Sequence, residues 1–329
     1  MDFWATRASA KTGFCGFIIV IVSGKEDKII SKIILNDFAE TPSKISPLIG
    51  KGFVNRVFLV ETESFKFIFR MNEEKSLDEY EKELWASRKA LEKEIPTPQI
   101  LKIGVFENWA YSIQKYVKGI EGRDLQGEKQ FIWKTFGEYA KRIHSVQVGG
   151  FGLDFRDMTS GDSQKMWLEY LDYNIESLND RDELLKLDVV SKKESEKIRN
   201  LFESLKFREF RFGLNHGDLS LKNSIVDDRG KIHLLDWGSA EASIVPHHEL
   251  IQLLKVQMEE GTPDDSELNA FLEGYGISPD EFERILPDLK ILSILRAFDK
   301  LRWAIDWKIA ELNDYVQTAK VTVEKYLQY

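Results

Sequence analysis

The stretch most restricted in how it can fold runs from Asn215 to Gly238. Ser224–Val226 and Ile232–Leu235 are short apolar runs, and Asp227-Asp228-Arg229-Gly230 between them is a polar turn ending in glycine, which is a hairpin pattern. Asn223 stands just before the first run and Asp236 just after the second, so antiparallel pairing is expected to set them side by side at the open end. Asp218, in His216-Gly217-Asp218, lies in the loop that leads in. Three oxygen-bearing side chains then converge. Asn223 and Asp236, as hard oxygen ligands beside an open position, suit Mg²⁺, and an unliganded Asp218 nearby can accept a hydroxyl proton. Taken alone, the tripeptide is equally a turn before a hairpin.

The remaining pattern divides near residue 119. A leader of unclear role (1–24) contains the apolar run Phe14–Val22, which has the look of a signal-peptide core. No small-x-small cleavage pattern follows it, and it is shorter than the roughly 20 apolar residues a membrane helix needs. Ile29, Ile30, Ile33, Ile34 and Phe38 then recur at helical spacing. Val57–Glu61 and Phe65–Arg70 read as a hairpin, Ser76–Glu94 as a helix with Leu77, Tyr80, Leu84 and Leu91 on its stripe, and Ile100–Phe106 and Ala110–Val117 as two more strands. The helix must stop at Ile95-Pro96-Thr97-Pro98. Beyond Gly122 the pattern is helical, with the 224–235 strand pair as its one interruption and a last helix from Asp288 nearly to the C-terminus. The expected fold class is α+β, with a small antiparallel-sheet lobe (25–118) and a larger, mostly helical lobe (119–329).

His216-Gly217-Asp218, with Asn223 five residues after the Asp, and then Leu235-Asp236-Trp237-Gly238, resembles the catalytic loop and metal-binding segment of the aminoglycoside phosphotransferase and choline kinase group, a protein kinase-like two-lobe fold. The resemblance runs from about Ser46 to Trp307. It implies that Asp218 serves as base or orienting group for an acceptor hydroxyl, that Asn223 and Asp236 bind Mg²⁺, and that His216 is structural. It also implies a phosphate loop at Gly50-Lys51-Gly52-Phe53-Val54-Asn55, where Gly50 and Gly52 let the backbone approach phosphate. Asn55 replaces the third glycine of protein kinases, and by itself this segment could be an ordinary strand connection.

Lys66, Ile68 and Arg70 share one face of their strand. By the resemblance, Arg70 takes the place of the kinase strand lysine, Ile68 lies under the nucleotide base, and Glu83 on the following helix pairs with Arg70, with Glu79 as the fallback. Gln114, Tyr116 and Val117 fall in the hinge that binds the base edge. Phe69-Arg70-Met71-Asn72 resembles the hygromycin-type branch of the family. His248-Glu249-Leu250 departs from the family's usual Asp-Leu, and Glu249 there offers a carboxylate one methylene longer.

The acceptor is less legible. The chain carries a net charge of −9, which argues against a nucleic acid or an anionic membrane as principal partner. From Glu241 to Tyr329 there are 17 acidic and 9 basic residues, so nearly all of that charge lies in the last segment and suits a cationic acceptor. Solvated helix faces would look the same. Asp299, Trp303 and Asp306 make an acid-aromatic-acid face that could cradle an amino sugar or pack on a neighbouring helix. A single cysteine, Cys15, permits no intrachain disulfide and makes a reducing, cytoplasmic setting the default. The expected activity is therefore Mg²⁺-dependent transfer from ATP, or GTP, to a small-molecule hydroxyl. A kinase of choline, sugar or another metabolite and a catalytically weak nucleotide-binding module are the alternatives. No Ala-Pro-Glu segment follows Gly238, which disfavours a protein kinase.

Overall fold

The computed structural model describes residues 24–48 and 56–327 of the chain. They fall into two compact units. The first is the chain up to Ile132 with Leu153–Phe155 and His216–Glu241, and the second is Trp133–Gly152, Arg156–Asn215 and the chain from Ala242 onward. The leader apart from Gly24, and with it Cys15, lies outside the described residues, as does the glycine loop of Gly50, Gly52 and Asn55. Among the described residues no helix is long and apolar enough to cross a membrane.

The first unit opens with α1 (Gly24–Phe38), β1 (Lys44–Pro47), β2 (Arg56–Glu61), β3 (Lys66–Glu73), α2 (Leu77–Glu92), β4 (Ile100–Phe106), β5 (Trp109–Lys115) and β6 (Gly119–Glu121). Five of the strands form an antiparallel sheet in the order β1-β2-β3-β5-β4. Strict alternation along β2 and β3 sends Phe58, Val60, Phe67, Phe69 and Met71 to one face, where Ile29, Ile30, Ile33 and Ile34 of α1 cover them. Burying each of these isoleucines is worth about 2 kcal/mol, which ties α1 to the sheet. Tyr111 Oη donates to Asp37 Oδ2 at 2.7 Å, and Arg56 pairs with Glu26. Ile68 and Arg70 point the other way, opposite Gln114 and Ser112 in register.

α2 differs from its expected stripe. Leu91 is exposed, and the buried face is Tyr80, Lys82, Glu83, Ala86, Ser87 and Ala90. The helix packs on the turn Trp237–Ser239, and so close an approach favours small side chains over leucines. It ends in a Schellman motif: Glu94 takes φ 57°, its N–H bonds Leu91 O at 3.0 Å, and the Ile95 N–H bonds Ala90 O at 2.9 Å.

The excursion His216–Glu241 supplies the hairpin β8 (Ser224–Asp227) and β9 (Ile232–Leu234), with β6 completing a three-stranded sheet, while β7 (Arg211–Asn215) lies in the second unit. The turn closes because Asp227 Oδ1 accepts the N–H groups of Arg229 and Lys231, both at 2.9 Å.

The second unit holds α3 (Gln130–Ile143, from Trp133), α4 (Phe155–Thr159, from Arg156), α5 (Ser163–Ser177), α6 (Glu183–Lys186), α7 (Lys192–Leu205), β7 (Arg211–Asn215), β10 (Glu241–Val245, from Ala242), α8 (His247–Glu260), α9 (Asp265–Tyr275), α10 (Pro279–Asp306) and α11 (Leu312–Tyr326). Two expectations are corrected here. β7 pairs with β10, so the 224–235 hairpin is not the one break in the helical pattern. The final helix is two helices. Ser278 and Glu281 form a capping box with Pro279 at the start, so α10 begins well before Asp288, and the chain breaks after Trp307, with Lys308 at φ 50°. Arg302 fixes α10 by buried bonds to Asn174 Oδ1 at 2.9 Å and Asp182 Oδ2 at 2.8 Å.

Candidate active site

The loop before β8 is built around His216, which is fully buried. Its Nε2–H donates to Leu235 O at 2.9 Å, and its Nδ1 accepts the Asp218 N–H at 3.3 Å. Burial holds its pKa below the usual histidine range against the pull of Asp218, so the ring is a neutral staple between the loop and the end of the hairpin. Gly217 has φ 78°, and a Cβ there would lie 2.2 Å from Ser239 O, so the loop needs a glycine. The Trp237 ring packs tilted against His216, ring centroids 4.6 Å apart, and its Nε1–H donates to Thr97 Oγ1 at 3.1 Å.

Asp218 is oriented by Asn223, whose Nδ2 donates to Asp218 Oδ2 at 2.8 Å and to Asp218 O at 3.0 Å. Lys222, which sequence reading passed over, places Nζ 3.5 Å from the same carboxylate oxygen. Its i,i+4 spacing from Asp218 was the available signal. The expected side-by-side placement of Asn223 and Asp236 shifts by one residue. The Leu235 N–H bonds Asn223 O at 2.8 Å, so Leu235 is the residue opposite Asn223, and Asp236 follows in a left-handed turn, φ 57° and ψ 68°, with its side chain half exposed. Asp adopts that conformation more readily than most residues.

Arg70 joins this cluster from β3. Its Nη1 donates to Glu83 Oε1 at 2.5 Å and its Nη2 reaches Asp236 Oδ1 at 3.5 Å. The guanidinium carbon lies 5.8 Å from the Tyr80 ring centroid. Glu83 rather than Glu79 is thus the partner of Arg70. Burial pushes the Glu83 carboxyl up while Arg70 pulls it back. Burial opposes the Arg70 charge, but Glu83 and Asp236 outweigh it and hold the guanidinium protonated.

On the segment expected to be the hinge, the N–H groups of Lys115 and Tyr116 are engaged by Gln99 O at 2.9 Å and Lys66 O at 3.3 Å. Ile68 is half-buried and paired in register with Gln114, whose side chain is turned to Glu83 Oε1 at 3.4 Å. Tyr116 is partly exposed, and among the described residues no backbone bond to the Val117 N–H is present.

Asp299, Trp303 and Asp306 lie on α10 in the second unit. Trp303 packs toward Tyr315 of α11, centroids 6.1 Å apart, and Asp306 is exposed. Tyr173 of α5 is held above the usual tyrosine range by burial, and Asp306 and Asp299 add to the shift, so both acids stand near that ring. His144 is packed in the same unit, Nδ1 3.0 Å from Tyr275 Oη, and burial, with His248 and Arg211, lowers its pKa to about 3.

Among the described residues no group of three or more His, Cys, Asp or Glu side chains could hold a metal. The Asp236 carboxylate and Asn223 Oδ1 are oxygen donors of the kind that would suit Mg²⁺, an ion that commonly completes its shell with water and phosphate oxygens.

An antiparallel sheet carrying an arginine–glutamate pair, joined to a His-Gly-Asp loop and hairpin, is the α+β fold of protein kinase-like phosphotransferases. Residues 47–287 match the model of the phosphotransferase enzyme family, and the chain belongs to that family as a small-molecule phosphotransferase. Among solved structures it is similar to a thermostable mutant of the aminoglycoside phosphotransferase APH(4)-Ia in a ternary complex with AMP-PNP and hygromycin B, at 16% identity and a TM-score of 0.66, over 91% of this chain and 99% of the other. It is also similar to the spectinomycin phosphotransferase APH(9)-Ia in complex with ADP and spectinomycin, at 17% identity and a TM-score of 0.56, over 92% and 97%. An uncharacterized protein of Staphylococcus aureus, in the ileS 3′ region, is 24% identical over 127 residues, 37% of this chain and 95% of that protein.

Proposed function

We propose that the chain moves the γ-phosphoryl group of ATP, with GTP as the alternative donor, onto a hydroxyl of a small cationic molecule of the amino-sugar kind, in a Mg²⁺-dependent reaction. The observation that carries this reading is Arg70, whose guanidinium is gripped by Glu83 and reaches Asp236, so that one cation links β3 to the residue proposed to hold the metal. Arg70 would take phosphate oxygens, since its fork can contact two of them. Asn223 and Asp236 would hold Mg²⁺, which when bound neutralises phosphate charge. Asp218, aimed by Asn223, takes the proton of the acceptor hydroxyl as the new O–P bond forms and the bond from Pγ to the β–γ bridging oxygen breaks, releasing the nucleoside diphosphate. Positioning and charge neutralisation supply most of the acceleration in such transfers. His216 and Gly217 hold the loop. Ile68 and the backbone of Gln114–Val117 serve the base, with the Val117 N–H as the open donor, and Gly50, Gly52 and Asn55 the phosphates.

A cationic acceptor is supported by the balance of −8 over Glu241–Tyr329, which draws cations by long-range attraction, and by the grouping of Asp299 and Asp306 near Tyr173, with Trp303 between them in sequence. Antibiotic modification in the cytoplasm is the matching biological role. The same charge also favours choline, a quaternary ammonium alcohol, which makes a choline kinase the second reading. A coupled assay of nucleoside diphosphate release decides, run with Mg-ATP and Mg-GTP against aminoglycosides, choline, amino sugars and simple sugars, with Asp218→Ala as blank. Release that depends on one acceptor class and vanishes in the blank supports the reading and names the substrate. Nucleotide binding with no acceptor-dependent release overturns the acceptor assignment.

A further inference from the structure

The Arg70–Glu83 pair has a third member. Gln114 Nε2 donates to Glu83 Oε1 at 3.4 Å, the same oxygen that Arg70 Nη1 holds at 2.5 Å. Glu83 is 3% exposed, so its carboxylate has no solvent to orient it, and its neighbours decide where its oxygens point. Those oxygens in turn aim the guanidinium, because Arg70 is shared between Glu83 and Asp236.

The helix that carries Glu83 is already fixed. Lys82, 7% exposed, donates from Nζ to Leu153 O at 3.4 Å, and the Trp85 and Phe155 rings lie 5.7 Å apart. With α2 held by these two contacts, Gln114 adds a partner that restrains the Glu83 side chain itself. Gln114 stands opposite Ile68, two residues along the strand from the position opposite Arg70, so the sheet register delivers it to this place. A hinge residue whose side chain is committed to the ion pair is not available to read a nucleotide base.

Resting on the phosphotransferase reading above, we infer that Gln114 is a positioning residue. Its carboxamide holds Glu83 Oε1, and through it the Arg70 fork, in the orientation that receives nucleotide phosphate. Glutamine suits the task as a neutral donor: leucine there would leave the carboxylate oxygen without its second partner, and glutamate would set one carboxylate against another.

The test is titration calorimetry with Mg-ATP and Mg-GTP, together with steady-state kinetics, on the full chain and on Gln114→Leu and Gln114→Glu. Loss of a hydrogen bond to a charged group weakens nucleotide binding about tenfold in Gln114→Leu, and like-charge repulsion about twentyfold or more in Gln114→Glu. The KM for the acceptor stays unchanged. A packing role alone would reverse the order, since glutamate keeps the shape of glutamine and leucine does not. Melting temperatures of both variants are read alongside, and if Gln114→Glu does not fold, the nucleotide-specific loss in Gln114→Leu decides. Wild-type binding with both variants unchanged overturns the role of Gln114. A wild type that binds neither nucleotide overturns the phosphotransferase site reading itself, and this role with it.

Discussion

Asn223 donates two hydrogen bonds to one residue, reaching both the carboxylate and the backbone carbonyl of Asp218. That double tether orients the loop and the carboxylate together, with Oδ2 engaged by Asn223 and Lys222. Asp218→Ala is expected to lower kcat by about 10²–10⁴-fold, the usual worth of a general base, while Mg-ATP still binds. Calorimetry and turnover on the same preparation check it, and loss of nucleotide binding would remove the assigned role.

Removing the carboxylate of Glu83 leaves the Arg70 guanidinium, 12% exposed, without its main counter-charge. Glu83→Ala is expected to cost about 3 kcal/mol of stability, the scale seen when a buried pair loses one partner. Arg70→Met combined with Glu83→Ala should cost less than the sum of the two single changes. Urea unfolding of the four proteins measures that coupling.

Gly217→Ala places a methyl group 2.2 Å from Ser239 O at a backbone angle that alanine avoids. The loop must shift, at an expected cost of about 2–4 kcal/mol, and Asp218 moves with it. Activity should fall further than the melting temperature suggests, which paired thermal and kinetic measurements will show.

The lowered pKa of His144, about 3, has a definite consequence for stability. Between that value and the usual histidine pKa near 6.5, the unfolded chain binds a proton that the folded chain excludes. The stabilisation is full above the unfolded value and is lost as the pH falls toward the folded one. His247, lowered by burial to about 4, acts in the same sense. His144→Gln should therefore flatten the stability profile, recovering about 2 kcal/mol of the difference between pH 7 and pH 4.5. Denaturant titrations at the two pH values report it.

Much of this was legible because the informative residues sit at fixed offsets. The hairpin at 224–234, four of the five strands of the large sheet and α1 follow from alternation, periodicity and turn chemistry, β1 having passed unread, and Glu83 came from the family resemblance. The misses have separate causes. The face of α2 was misread because a tight contact selects alanine and serine, which a hydrophobic stripe does not register. β7 and β10 are short, and their pairing is set by contacts far apart in sequence. The one-residue offset of Asp236 comes from its left-handed turn, and no propensity at Asp-Trp-Gly announces it. The tie between Gln114 and Glu83 depends on side-chain direction across a sheet and a helix, and spacing along the chain carries no trace of it.

Ala86, Ser87 and Ala90 have no part in the proposed chemistry, yet they lie on the buried face of α2, the helix that carries Glu83 and packs on the turn after Asp236. A larger side chain on that face is expected to displace the helix and with it Glu83, weakening the pair with Arg70 while every reacting atom is still encoded. The positions least free to drift in this chain thus include several that are chemically silent, and a variant can lose activity through them while its catalytic motifs read as intact.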